Sequence, residues 1–348
     1  MAKLLDIPEG IDVVELRKKI NGMISDARNI AKPDQCILCG RKQTSFCNSH
    51  SVPQLALKNI ADNGKLYLAS ALMGIEVIEM EKGVKNSGTF HFICNDCDCK
   101  FFQDYENENN LCSKPTDKML AEIAVKDILL QLSKRNQEKE IHKMLHKQFN
   151  AYANPNDLFE IDKLDMRDYL AELRLHKDNV VNEETGCYQI LFWKLLPYKV
   201  PIAAQSAIAL SADMEGNIIN NVFDMSEDTR MQFMHLAILP LEDKSVIIAF
   251  YHKRDTLYKK LWHQFNSSSE EKCLRFLNYI VFANTENYFI SKNIKEEIEN
   301  NEKLALLSQE NNGFPGMGFL SQDNLFGIGY NPISESEMPN FLSAEWAI

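Results

Sequence analysis

Two stretches decide the fold, "CILCGRKQTSFCNSHSVPQ" (Cys36–Gln54) and "FICNDCDCKFFQDYEN" (Phe92–Asn107). Each carries a Cys-x-x-Cys pair: Cys36 with Cys39, and Cys94 with Cys97. Two intervening residues let both sulfurs of a pair face one ion, and two pairs supply the four ligands of a tetrahedral zinc site. Gly40 follows Cys39 directly, where a tight knuckle favours glycine. The pattern predicts one structural Zn²⁺ on Cys36, Cys39, Cys94 and Cys97; four unliganded thiols are the alternative. The two pairs are 54 residues apart, so an insertion lies between them, centred on "LALKNIADNGKLYLASALMGIEVIEMEKG". Cys47 and Cys99 stand close enough to exchange into the ligand set. Cys112, Cys187 and Cys273 read as buried small apolar residues.

Outside this core the chain divides by periodicity. Residues 10–31 place Leu16, Ile20, Met23, Ile24 and Ala27 at helical spacing, and Pro33 ends the helix. Thr116, after Pro115, is the expected N-cap of a long helix reaching Asn150. Its C-terminal part carries Lys134, Arg135, Lys139, Lys143 and Lys147, a solvated face or a nucleic-acid contact. Asn154–Pro155–Asn156 signals a turn, and a short helix is expected over 165–177. "CYQILFWKLL", "IAAQSAIALSA", "NIINNVFDM", "FMHLAILPL" and "SVIIAFYHK" then predict an antiparallel sheet over about 187–253. Helices follow over 257–265, 270–282 and 294–307. The last forty residues, rich in Gly, Asn, Pro and Ser, read as a flexible tail whose aromatic residues dock on a partner or on the chain's own body.

The expected fold class is therefore α+β. An N-terminal helix (1–33) precedes a zinc module with an insertion (34–108), a linking helix (109–155), an α+β domain with an antiparallel sheet (156–308) and the tail (309–348). A chain of 348 residues, 45% apolar, has material for a sizeable core. It has no apolar run long enough for a membrane span, and its first twenty residues lack the apolar centre of a secretion signal. A cytoplasmic setting follows as the expectation, one in which nine cysteines serve metals or cores rather than disulfides. Net charge of −11 argues against nonspecific coating of nucleic acid, yet the charge is uneven. Residues 1–60 hold nine Lys/Arg against six Asp/Glu, whereas 293–348 hold two against nine. No Gly-rich phosphate loop or motor motif is present.

The order Cys36-x-x-Cys39-Gly40, Ser49-His50-x-x-Pro53, Cys94-x-x-Cys97-Asp98 and Phe101…Tyr105-Glu106 resembles the HNH-type zinc endonucleases, in particular a bacterial subgroup with a Ser-His-x-x-Pro motif. The resemblance covers about 75 residues, and "FANTENYF" (282–289) is weakly similar to a later part of that subgroup. It implies a treble-clef or ββα-metal module and metal-dependent hydrolysis of DNA phosphodiester bonds, with defence against foreign DNA as a setting. His50 would be the general base and Asp98 a ligand of catalytic Mg²⁺ or Mn²⁺, with Glu106 on a similar helix face and Asn48 and Asn95 orienting groups. Ser49 stands where the family often has a carboxylate or His ligand. Phe101 and Phe102 stand where a second helix ligand is usual. A carboxylate from the insertion (Asp62, Glu76 or Glu79) is the candidate replacement. The alternative function is a non-catalytic zinc-stabilised binding or adaptor protein, in which His50 makes a structural hydrogen bond or binds zinc, or a nuclease subunit working with a separate NTPase. The expected partners are accordingly DNA and, in these alternatives, another protein.

Overall fold

A computed structural model of the chain describes residues 10–69, 78, 81–149, 155–221, 224, 226–304, 307 and 335–348. Helix α1 (Val13–Ile30) starts at Asp12, whose carboxylate accepts from the amides of Val14 and Glu15. It lies against α5 (Asp117–Phe149). The α5 cap is the expected one: Thr116 Oγ1 accepts from the Met119 amide at 3.3 Å. Helix α6 (Pro155–Val181) packs along α5 and is far longer than the segment expected over 165–177. Pro155 opens it, since the first turn needs no proline N–H. The basic end of α5 is largely neutralised within the fold: Lys134 pairs with Glu286, Arg135 with Glu138 and Asp165, and Lys143 with Glu140.

The centre of the fold is an antiparallel seven-stranded sheet with strand order β3-β2-β9-β6-β7-β8-β5. Its strands are β2 (Lys65–Leu68), β3 (Lys82–Gly83), β5 (Tyr188–Leu196), β6 (Ile202–Ile208), β7 (Met234–Pro240), β8 (Ser245–His252) and β9 (Tyr288–Ile290). A separate ribbon pairs β1 (Ser49–His50) with β4 (Thr89–Phe90). Strands β6 and β7 are buried along their whole length, because both faces of the sheet are covered. Ile202, Ala204, Leu236, Ile238, Ile247 and Ala249 face a core with α7 (Lys259–Ser267) and α8 (Glu270–Asn284). Alternate residues Ala203, Ala207, Ala237, Leu239, Ile248 and Phe250 face a second core with α5 and the cysteine module.

Three expectations change. "NIINNVFDM" supplies no strand among its described residues, only an isolated bridge between Ala212 and Ile218. The insertion is not a mere spacer: Tyr67 and Leu68 of β2 pair with Ile290 and Phe289 of β9, which in turn pairs with β6. The sheet thus crosses the expected boundary between the module and the 156–308 domain, and the two share one core. The tail is corrected over residues 335–348, while 309–334 lie outside the described residues. Met338, Phe341 and Leu342 are buried, and Phe341 meets Trp346 edge-on at 4.9 Å. Asn278 holds the turn from both sides, donating to the Pro339 carbonyl and accepting from the Phe341 amide. No helix among the described residues is long and apolar enough to cross a membrane.

Candidate functional site

The ribbon closes the insertion. Ser49 pairs with Phe90 and His50 with Thr89, which brings the segment after the first knuckle beside the segment before the second. In the first knuckle the Gly40 amide donates to the Cys36 carbonyl at 2.7 Å, and Gly40 takes the positive φ (71°) that this turn requires. Cys94 is the N-cap of α3 (Asn95–Phe101), which puts Cys97 in its first turn. The four sulfurs of Cys36, Cys39, Cys94 and Cys97 lie within 4.8 Å of one another, so this group can hold a metal ion. The Cys36–Cys97 and Cys39–Cys94 separations are 3.7 and 3.9 Å. Four thiolates bound tetrahedrally at about 2.3 Å are about 3.8 Å apart, so the cage already has the size of a bound ion. Arg41 supports it from outside, donating to the Cys39 sulfur and pairing with Asp96. It holds the Cys39 thiol down at about 6.

Cys47 and Cys99 are not in the cage. Cys99 is exposed on α3. The Cys47 thiol donates to Asp98 Oδ2 at 3.2 Å; burial and the neighbouring carboxylate push it up to about 12, so it stays protonated. Cys273 is buried as expected, whereas Cys112 and Cys187 are half-buried.

Asp98 faces inward to a lysine. Lys126, 1% exposed on α5, donates to Asp98 Oδ1 at 3.1 Å and to Ser49 Oγ at 3.2 Å, and pairs with Glu106 Oε1 at 3.2 Å. Its ammonium lies over the Phe102 ring, 3.7 Å from the centroid. Ser49 Oγ donates to Asp98 Oδ1 at 2.6 Å. Burial alone would raise the Asp98 carboxyl, but Lys126, Ser49 and Cys47 together hold it below the usual range. Both Asp98 oxygens are therefore engaged inside the protein.

His50 stands beside this cluster, half-buried. Its Nε2 lies 3.1 Å from the Val84 carbonyl, which can only accept, so Nε2 carries the proton and the lone pair is on Nδ1. Burial lowers its affinity for a further proton; the charge of Lys126 acts in the same direction, while the Val84 carbonyl, Asp98 and Glu106 oppose. The ribbon is anchored below His50: Ser51 Oγ donates to Asn287 Oδ1 at 2.8 Å, and the Ser51 amide to the Gly88 carbonyl. Gly88 adopts φ of 61°, and a Cβ there would stand 2.3 Å from the Phe289 ring.

Other sequence candidates are occupied elsewhere. Asn48 donates to the Lys85 carbonyl and so ties the ribbon to the insertion. Asn95 is exposed in the first turn of α3. Asp62 pairs with Lys292. Glu76 and Glu79 lie outside the described residues. Burial, with the charges of Lys32 and Arg28, lowers the proton affinity of His91, which precedes Cys94 by three residues. A cavity of about 470 Å³ opens between α1, β4, α5 and β9; Thr89, the partner of His50, lines it with Arg28, Lys82, Lys134 and Glu286.

Lys126 and Glu122 are the site residues that sequence reasoning missed. Their signal was present: both put a charge into the apolar run "LAEIAVKDILLQL", at i and i+4 on one stripe of a helix whose residues 120–130 are all buried. Glu122 accepts from the amides of Asp104 and Tyr105 and orients the segment after α3; burial, the larger influence, raises its carboxyl to about 7. No family model, curated protein or solved structure matches the chain.

Proposed function

We propose that the cysteine module is a treble-clef zinc scaffold of the HNH type, and that the centre it supports hydrolyses phosphodiester bonds in DNA with His50 as general base. The observation that carries this reading is the tautomer of His50. The Val84 carbonyl fixes the proton on Nε2 and leaves Nδ1 as a base that remains neutral near pH 7. Zinc suits the cage because four thiolates at these separations match its tetrahedral preference. In the step envisaged, Nδ1 takes a proton from water as the water oxygen bonds to phosphorus. The bond to the 3′ oxygen then breaks, and that oxygen takes a proton from solvent. Arg28 and Lys82 beside Thr89 give a chain of net charge −11 a local basic surface for a polyanion. A cytoplasmic setting belongs to the same reading through the composition of the chain, and action on invading DNA through the resemblance alone. The Mg²⁺ or Mn²⁺ that the resemblance implies does not fit at Asp98, whose oxygens already bind Lys126, Ser49 and Cys47.

A second reading, the non-catalytic binding or adaptor protein, is favoured by that same internal saturation of Asp98. Incubating the zinc-loaded chain with plasmid, single-stranded DNA and RNA separates the two, in chelator that spares the cage and in Mg²⁺ or Mn²⁺. Hydrolysis predicts cutting that His50→Ala slows by roughly 10²–10⁴-fold with zinc content and melting temperature retained. Undiminished cutting by His50→Ala refutes the assignment of the base. Silence of the parent on every substrate, with a partner protein recovered through the same module, supports the adaptor.

A further inference from the structure

We propose that the ammonium of Lys126 permanently fills the seat that a catalytic divalent ion takes in an HNH-type centre. The inference rests on the reading above only in taking Ser49 and Asp98 as the equivalents of that centre's ligand positions. Three oxygens from three different segments converge on Nζ: Ser49 Oγ from the strand that carries His50, Asp98 Oδ1 from α3, and Glu106 Oε1 from the segment after it. An ammonium has three donors and no acceptor, so three acceptors complete it. The Phe102 ring, 3.7 Å from Nζ to its centroid, adds a cation–π contact.

The separations have the length of ammonium–oxygen hydrogen bonds, 3.1 to 3.2 Å. Magnesium requires oxygens at about 2.0–2.1 Å in a near-octahedral set and gives up its water reluctantly. Admitting it would mean drawing each oxygen inward by about 1 Å and moving a lysine that is 1% exposed away from both of its carboxylates. A divalent ion placed alongside would instead face a like charge at close range. Lys126 also lets Asp98 and Glu106 converge, since two carboxylates sharing one site otherwise repel. The centre therefore carries a fixed single positive charge that does not exchange with the surrounding solution.

The test uses Mn²⁺ as the probe and the full-length, zinc-loaded chain, with bound ion read by electron paramagnetic resonance. The parent is expected to bind no Mn²⁺ that Asp98→Asn abolishes, at concentrations up to about 1 mM, a range in which hard carboxylate sites for such ions load. Lys126→Met keeps the unbranched stem out to the ε position and removes the ammonium. It is expected to gain one Mn²⁺ per chain, at least tenfold tighter than any binding by the parent, and to lose it again when Asp98→Asn is added. Stoichiometric, Asp98-dependent Mn²⁺ binding by the parent overturns the proposal. So does a folded, zinc-loaded Lys126→Met chain that gains nothing. Should Lys126→Met fail to fold, the comparison of the parent with Asp98→Asn decides alone. Because the readout is metal binding rather than cleavage, this inference and the proposed hydrolysis can fail separately.

Discussion

Replacing Lys126 by Met removes the cation shared by Asp98 and Glu106, together with its contact over the Phe102 ring. Breaking a buried ion pair from one side costs about 3–5 kcal/mol when the abandoned charge is fully buried. Here the abandoned charges are partly wet: the Asp98 side chain is 22% exposed and that of Glu106 37%. Asp98 also keeps its hydrogen bonds from Ser49 and Cys47. Glu106 can rehydrate and contributes little. A loss of roughly 2–3 kcal/mol is therefore expected, and a melting temperature lower by about 3–4 °C in a chain of this size. Urea unfolding of the zinc-loaded protein measures the loss, and Lys126→Met with Asp98→Asn completes a double-mutant cycle. The double variant should recover at least about 1 kcal/mol, because the charge left without its partner is gone. A single-variant loss below about 0.5 kcal/mol, or a double variant no more stable than Lys126→Met, contradicts the account of the cluster as a mutually dependent buried network.

Cys94→Ser should release the metal and unfold the module, since a structural ion contributes folding free energy directly; elemental analysis showing a full metal complement in this variant counts against the cage. Gly88→Ala should cost more than about 2 kcal/mol, because it combines an unfavourable positive φ with a Cβ 2.3 Å from Phe289; an unchanged unfolding midpoint would refute the packing described for the ribbon. Acid should expose Glu172, which is fully buried: burial alone would raise its carboxyl, but His176, Arg254 and Arg230 bring it down to about 2. A carboxyl depressed in the folded chain stabilises above its unfolded value near 4.5 and loses that contribution as pH falls from there through about 2. About 3 kcal/mol should disappear over this window and be absent from the pH profile of Glu172→Gln; superimposable profiles would sink the assignment.

The elements legible in the sequence were those set by local rules. The apolar stripe of α1, the Thr116 cap of α5 and the turn-bounded apolar runs of β5 to β8 need nothing beyond their own neighbours. The two knuckles were legible because cysteine spacing fixes where the sulfurs point. What was hidden depends on distant partners. Nothing in "KLYL" says that it pairs with "YFI" more than two hundred residues later, because strand pairing is decided by the sheet edge available in the folded chain. Phe341 sits in a stretch rich in Ser, Asn, Pro and Glu that resembles disorder, and only its packing against Phe282 and Asn278 converts it to core. Lys126 is visible in the sequence as a charge within an apolar run, but its partners are not; its burial follows from Asp98 and Glu106 arriving from the other side.

The insertion of β9 between β2 and β6 sets an order of assembly during synthesis. The ribbon that carries His50 leans on Asn287 and Phe289, through Ser51 and Gly88. Those supports are translated roughly 240 residues after His50, a delay of about 12–48 s at ordinary elongation rates. A nascent chain can close its cysteine cage early, yet the floor beneath the histidine arrives only when most of the polypeptide has left the ribosome. Prematurely terminated products ending before β9 consequently hold the ion-binding knuckles with an unsupported ribbon, so the competence of the centre is tied to completion of nearly the whole chain.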